Sequence, residues 1–106
     1  MGRALVNVPA TAKAGDIVEI KALVAHPMET GYRREASGAA IPRNILTRFV
    51  CTWNAEVVFA ADLFPAIAAN PYFAFTALAA ESGVIAFSWT GDDGRVQIET
   101  ARIAVT

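Results

Sequence analysis

Three side chains in this 106-residue chain could act as metal ligands or nucleophiles: the single histidine His26, the nearby Met28 and the single cysteine Cys51. A cysteine, histidines and a weakly bound methionine form blue-copper electron-transfer sites, but such sites use two histidines. No metal and no other cofactor is therefore predicted. A small metal-binding or electron-transfer β-sandwich that uses these three residues is kept as an alternative function.

Nucleophilic catalysis is not indicated either. Cys51 lies within an apolar run, in phase with Phe49 and Trp53, where a thiol behaves as a small buried hydrophobic group with a raised pKa. None of the serines lies in a glycine-flanked nucleophile elbow, and the chain has no phosphate loop, zinc spacing or dinucleotide fingerprint. The sequence predicts no catalytic residue, and hence a domain that is not an enzyme and acts by presenting a surface.

The charge of the chain is nearly balanced, with 9 basic and 10 acidic side chains and a net charge of -1. Such a balance is not typical of proteins that bind nucleic acid or an anionic membrane surface. No stretch approaches the roughly 20 apolar residues of a membrane span. The N-terminus lacks the apolar run of a secretory signal. We therefore expect no nucleic-acid partner and no membrane partner.

Short apolar runs separated by glycine, proline and asparagine predict an all-β chain. The segment Asp16–Ala25 shows this most clearly, because its apolar residues alternate with Glu19 and Lys21. Seven strands are predicted, the last with a bulge or bend near Glu99 and Thr100: Arg3–Val8, Asp16–Ala25, Ile45–Trp53, Glu56–Ala60, Tyr72–Ala79, Val84–Thr90 and Arg95–Val105. About seven short antiparallel strands in about 100 residues are typical of an immunoglobulin-like β-sandwich, so residues 1–106 are interpreted as one such domain.

Two connections are longer than the turns of a compact sandwich. The segment His26–Asn44 is predicted to be a long loop, and the alanine-rich segment Ala61–Pro71 has room for one helical turn. Loops of this length in a small domain are usually functional or disordered. We therefore expect the first of them to contribute to a binding surface.

Several segments of the chain resemble one family in order. They are His26-Pro27-Met28-Glu29-Thr30-Gly31, Arg33, Ile41-Pro42-Arg43, Arg48-Phe49, Cys51, Asn70-Pro71-Tyr72-Phe73, Trp89 and Asp92-Asp93-Gly94. With these segments the chain resembles the SoxZ family, the small subunit of the SoxYZ carrier of bacterial thiosulfate oxidation. Ala55 departs from the resemblance, since we would expect there the glycine of an Asn-Gly hairpin, and this leaves the type of that turn open.

The resemblance implies an immunoglobulin-like, non-catalytic subunit that pairs tightly with SoxY, whose glycine-rich C-terminal arm bears the cysteine that carries sulfur intermediates. It also implies a periplasmic location, export together with SoxY, and transient contact with other Sox enzymes. A free-standing protein-binding module that needs no SoxY is the remaining alternative. The residues predicted to contact the partner are His26, Pro27, Met28, Glu29, Thr30, Gly31, Arg33 and Arg43.

Overall fold

The computed structural model describes residues 3–106, so the first two residues of the predicted domain lie outside the described part. The chain forms two sheets packed as a sandwich. The smaller sheet has the order β1-β3-β6 and the larger one β2-β8-β7-β4-β5. The described strands are β1 (Ala4–Asn7), β2 (Thr11–Ala12), β3 (Ile17–Val24), β4 (Leu46–Trp53), β5 (Glu56–Asp62), β6 (Tyr72–Leu78), β7 (Gly83–Gly91) and β8 (Val96–Val105).

The predicted immunoglobulin-like sandwich is confirmed, and each of the seven predicted strands is present. Sequence analysis missed β2, because a two-residue strand is too short to show an alternating pattern. This strand pairs in parallel with the end of β8, whereas the other pairings are antiparallel. The segment Ala61–Pro71 contains turns and no helix.

The predicted bulge in the last strand is wrong. The pairing of β7 with β8 runs in unbroken register from Thr90 opposite Val96 to Gly83 opposite Ile103. The prediction assumed that Val96 and Ile98 must face the core, but both are exposed, and the partly buried Gln97 and Glu99 alternate with them. The strand therefore carries apolar residues on its outer face, which has consequences for the proposed binding surface described below.

Aromatic side chains join the two sheets. Phe49 of β4 is fully buried and stacks on Phe73 of β6, with 4.4 Å between the ring centroids. Phe59 of β5 stacks in the same way on Phe75 of β6, also at 4.4 Å. Offset stacking of this kind adds to the free energy gained by burying the rings. The core is therefore held by contacts between residues that are far apart in the chain.

The turn between β4 and β5 keeps the geometry of an Asn-Gly hairpin although it has alanine. Asn54 and Ala55 both have positive φ angles, 50° and 69°, as in the two central positions of a type I′ turn. Asparagine tolerates this left-handed conformation, but alanine is disfavoured there because its Cβ approaches the neighbouring carbonyl oxygen. The type of the turn is thus unchanged by Ala55, and the cost is local backbone strain.

Replacing Ala55 with glycine is expected to raise the free energy of unfolding by about 0.5–1 kcal/mol, because the relief of strain exceeds the added freedom of glycine in the unfolded chain. Chemical denaturation of both proteins measures the difference. The matched control is Ala74→Gly in β6, where alanine lies in an ordinary strand and the same change should be destabilising. Equal losses in the two variants would contradict the assignment of strain to Ala55.

Candidate functional site

The long connection between β3 and β4 contains an ordered hairpin, here called the arm and defined as residues 29–44. Backbone bridges pair Glu29 with Asn44 and Arg34 with Ala40. Every residue from Tyr32 to Ala40 is exposed, and the Tyr32 side chain is the most exposed of the large hydrophobic ones, at 81%. The predicted loop is therefore an ordered feature that offers surface rather than core.

His26 and Met28 fix the base of the arm to the core. The Nδ1 atom of His26 accepts the backbone N–H of Met28 at 3.0 Å, and Met28 has a positive φ of 52°. The Met28 Sδ atom accepts the backbone N–H of Leu46 at 3.3 Å. Both side chains are buried. Two of the three atoms that suggested a copper site thus accept hydrogen bonds from backbone amides.

Asn70 holds the same base from the other side. The Asn70 Oδ1 atom accepts the backbone N–H of His26 at 2.9 Å. The backbone N–H of Asn70 donates to the backbone carbonyl oxygen of His26 at 2.7 Å. Asn70 adopts a positive φ of 54°, a conformation that asparagine tolerates better than most residues. Sequence analysis quoted this residue only as part of the resemblance, because its partner lies 44 positions away in the chain.

The remaining predicted residues organise the arm. The Glu29 carboxylate forms an ion pair with the Arg33 guanidinium, which lowers the pKa of Glu29. Thr30 Oγ1 accepts the N–H of Tyr32 at 3.2 Å. Gly31 has a φ of 85°, and a Cβ atom there would lie 3.0 Å from the Cβ of Arg43. Glycine is therefore required at this point by both the conformation and the close approach.

Arg43 ties the end of the arm to the turn between β7 and β8. Its Nε and Nη2 atoms donate to the two carboxylate oxygens of Asp92 at 2.9 and 2.8 Å. Asp92 also accepts the N–H of Ile45 at 3.1 Å, and the Arg43 guanidinium together with this N–H holds the pKa of Asp92 below its usual range. Sequence analysis quoted Asp92 only as part of the resemblance and missed this role, because Arg43 lies 49 positions away in the chain.

The structure therefore brings the eight predicted contact residues together at one end of the sandwich. His26 and Met28 are buried, Pro27, Arg33 and Arg43 are exposed, and Glu29, Thr30 and Gly31 are partly exposed. Their contact with a partner stays a prediction. The arm also presents Tyr32, which the sequence analysis did not single out.

Cys51 lies apart from the end of the sandwich that carries the arm. It is fully buried in β4, and burial raises its pKa to about 12. The predicted burial of this thiol is confirmed. Within residues 3–106, no three or more side chains of histidine, cysteine, aspartate or glutamate are grouped so that they could hold a metal ion.

Stability should fall as the pH drops below neutrality because of His26. Burial lowers the pKa of this imidazole from its ordinary value of 6.5. Between the folded and the unfolded pKa, the unfolded chain binds a proton that the folded chain does not. The contribution of His26 to the free energy of unfolding is therefore fully present above the unfolded pKa and is lost as the pH falls to the folded pKa. Protonation would also remove the acceptor of the Met28 N–H.

The test compares denaturation curves of the wild type and His26→Asn at about pH 7 and about pH 5, where histidine changes charge. Asparagine retains a short side-chain acceptor but does not titrate. We expect the free energy of unfolding to fall with pH more steeply in the wild type than in the variant. Parallel pH profiles would refute the role assigned to His26.

Comparison with known proteins decides the family. The family of the sulphur oxidation protein SoxZ matches residues 6–102. The chain belongs to the SoxZ family. A search of curated protein sequences finds no match to it. The predicted resemblance is therefore confirmed over nearly the whole length of this SoxZ-family chain.

Solved structures share its fold at low sequence identity. A variant of superoxide reductase (neelaredoxin) from Ignicoccus hospitalis superposes with a TM-score of 0.77 at 16% identity and covers 99% of this chain and 81% of its own. The sulfur carrier protein SoxY from Chlorobium limicola f thiosulfatophilum gives 0.70 at 14% identity, with 97% and 78% covered. A putative superoxide reductase from Thermotoga maritima gives 0.74 at 13% identity, with 97% and 85% covered.

These likenesses establish the fold and no activity, because one fold hosts many functions. They show that the SoxZ-family chain and a SoxY sulfur carrier share the same sandwich. Among residues 3–106, no helix is long and apolar enough to cross a membrane.

Proposed function

We propose that this SoxZ-family chain is the non-catalytic subunit of a SoxYZ-type sulfur carrier. It binds a SoxY subunit and stabilises it. It also orients the C-terminal segment of SoxY that carries sulfur intermediates covalently during thiosulfate or sulfur oxidation. The observation that carries the proposal is the family match over residues 6–102. The working location is the periplasm, which the chain reaches by export together with SoxY.

The chemistry of the described residues supports this division of labour. The only thiol of the chain is buried in β4 and has a pKa of about 12, so it is neither accessible nor ionised near neutral pH. A covalent carrier needs an accessible thiolate, and that thiol therefore has to come from the partner. The role left to this chain is to bind SoxY and to offer transient docking surface to the enzymes that load and unload the carrier.

Co-expression with a SoxY chain tests the proposal. A purification tag on the SoxZ-family chain should recover both subunits, which then elute together on size exclusion as a stable heterodimer. Separate elution of two folded subunits would refute the proposal and favour a free-standing binding module. Incubation with copper tests the metal alternative, because the appearance of a thiolate-to-copper absorption band would support an electron-transfer site.

A further inference from the structure

We propose that the outer face of the larger sheet is the surface that binds the SoxY-type subunit, an inference that rests on the proposed function. Two cross-strand rows of outward-facing residues on β5, β4, β7 and β8 define this surface, here called the neutral face. The first row is Val57, Thr52, Ala86 and Thr100, and the second row is Ala60, Val50, Ser88 and Ile98.

None of these eight positions carries a charge. The solvent-facing side of an antiparallel sheet is normally polar, so an uncharged face that exposes Val57 and Ile98 is unusual for a surface in water. Val96 extends the exposed apolar surface along β8. Charges begin at the border, where Arg48 and Asp62 form an ion pair at 2.7 Å on one side and Arg102 follows on the other. The arrangement is an uncharged centre with a charged rim, and depletion of charge at the centre is typical of protein interfaces.

Short side chains leave room for another sheet to lie on the neutral face. Ala60 lies on β5, and Ala86 and Ser88 lie on β7, so they stand on the two sides of β4. Two sheets that pack face to face lie about 10 Å apart, which leaves room for one layer of side chains from each. Val50 and Ala86 point away from the core and are not among the residues that pack against it.

The outer face of the smaller sheet lacks this character. Lys21 and Glu19 of β3 lie in the middle of it and form an ion pair at 3.2 Å. Exposed apolar side chains are present, but they are divided between the two ends, with Leu5 and Tyr72 at one end and Ile17 and Leu78 at the other. A charged centre is expensive to remove from water, so this face is the one suited to solvent.

The size and fold of the partner favour a SoxY-type chain. Four strands at about 4.8 Å and the two cross-strand rows of the neutral face give a plan area of about 260 Å². Such an area suits the centre of an interface that buries about 800 Å² per partner, with the rim supplying the rest. A SoxY carrier superposes on 97% of this chain with a TM-score of 0.70, so it is itself a sandwich of two sheets with outer faces.

The first experiment measures the affinity of purified SoxY for Ser88→Lys, at the centre of the neutral face, and for the matched control Thr76→Lys, which points outward from the smaller sheet opposite Glu19. An unpaired ammonium buried under the partner should raise the Kd about thirtyfold or more, as loss of a hot spot does. The control should bind like the wild type. Equal affinity of Ser88→Lys and wild type would overturn the assignment while leaving the proposed function intact.

The second experiment measures the accessibility of the neutral face directly and does not rely on a loss of affinity. Ile98→Cys introduces an exposed thiol, and Cys51 stays unreactive because it is buried. A maleimide should label position 98 rapidly in the isolated chain and at least tenfold more slowly in the SoxY complex, as mass spectrometry of the separated subunits would show. Leu78→Cys, at the far end of the smaller sheet, should stay reactive in both states.

Each remaining outcome is decisive as well. Unchanged labelling of position 98 in the complex overturns the neutral face as the SoxY surface. Self-association of the isolated chain that Ser88→Lys abolishes, with SoxY affinity retained, assigns the face to a second copy of this chain instead and also overturns the proposal. Failure of the wild-type chain to bind SoxY removes the proposed function and the inference with it.

Discussion

Replacing Phe49 with alanine is expected to lower the free energy of unfolding by about 3–5 kcal/mol, the range for removing a fully buried phenylalanine. The ring is stacked on Phe73 of the opposite sheet and lies 5.3 Å from the centroid of Trp89 in its own sheet. Alanine would leave a cavity that these rigid rings cannot fill without leaving their own positions. The decrease in the free energy of unfolding would therefore have three sources: less buried apolar surface, the cavity that remains, and the lost aromatic contact between the sheets.

Chemical denaturation followed by tryptophan fluorescence measures this change. The control is Phe64→Ala, which removes an equal side chain that is 63% exposed and should alter stability by less than about 1 kcal/mol. Similar losses for both variants would mean that Phe49 does not join the two sheets. A loss large enough to prevent folding at room temperature would still rank the two phenylalanines as expected.

Replacing Gly83 with alanine is the second change with a large expected effect. A Cβ atom at this position would overlap the side-chain amide of Asn54. That amide accepts the N–H of Val84 at 2.9 Å and donates to the carbonyl oxygen of Ser82 at 3.1 Å. Displacing it breaks both hydrogen bonds and disturbs a turn that already has two positive φ angles. We expect a loss of about 2–3 kcal/mol.

A double-mutant cycle tests the cause of this loss. Asn54→Ala removes the amide that the new Cβ atom would meet, so its combination with Gly83→Ala should cost clearly less than the sum of the single changes. The free energies of unfolding of the three variants and the wild type close the cycle. Additive losses would show that Gly83 is needed for some reason other than the close approach of Asn54.

The segment His26–Gly31, which carries part of the family resemblance, has a structural role that does not by itself make it a contact surface. His26 and Met28 hold the base of the arm, while Gly31 permits the close approach of Arg43. A substitution there would change partner binding indirectly, by loosening the arm. Tyr32 is a better position for a direct test of partner contact. Its side chain is exposed, as is every residue from 32 to 40, so a substitution there does not loosen the base of the arm.

The strands were accessible to sequence analysis because alternation is a local property. In β3, buried residues from Val18 to Val24 alternate with residues that are more exposed. The predicted segment Asp16–Ala25 contains the observed strand. In β8 the same reasoning failed. Its inward positions include Gln97 and Glu99, so apolar residues no longer mark the buried face. The prediction of a bulge arose from treating hydrophobicity and burial as equivalent.

The candidate site divides in the same way. The motif residues from His26 to Arg43 were found from the sequence because they lie within one segment. Their roles were not, since those roles depend on Asn70 and Asp92, which lie 44 and 49 positions from their partners His26 and Arg43. Hydrogen bonds over such separations leave no periodic signal in the chain.

The sequence by itself determined the all-β class, the positions of the longer strands, the burial of Cys51 and the SoxZ family. All of these follow from local patterns or from motifs in order along the chain. Only the tertiary structure decided the order β2-β8-β7-β4-β5 and with it the existence of the neutral face. The physical reason is that an outer face is assembled from residues of separate strands, so its lack of charge becomes visible only when pairing brings Val50, Ser88 and Ile98 side by side.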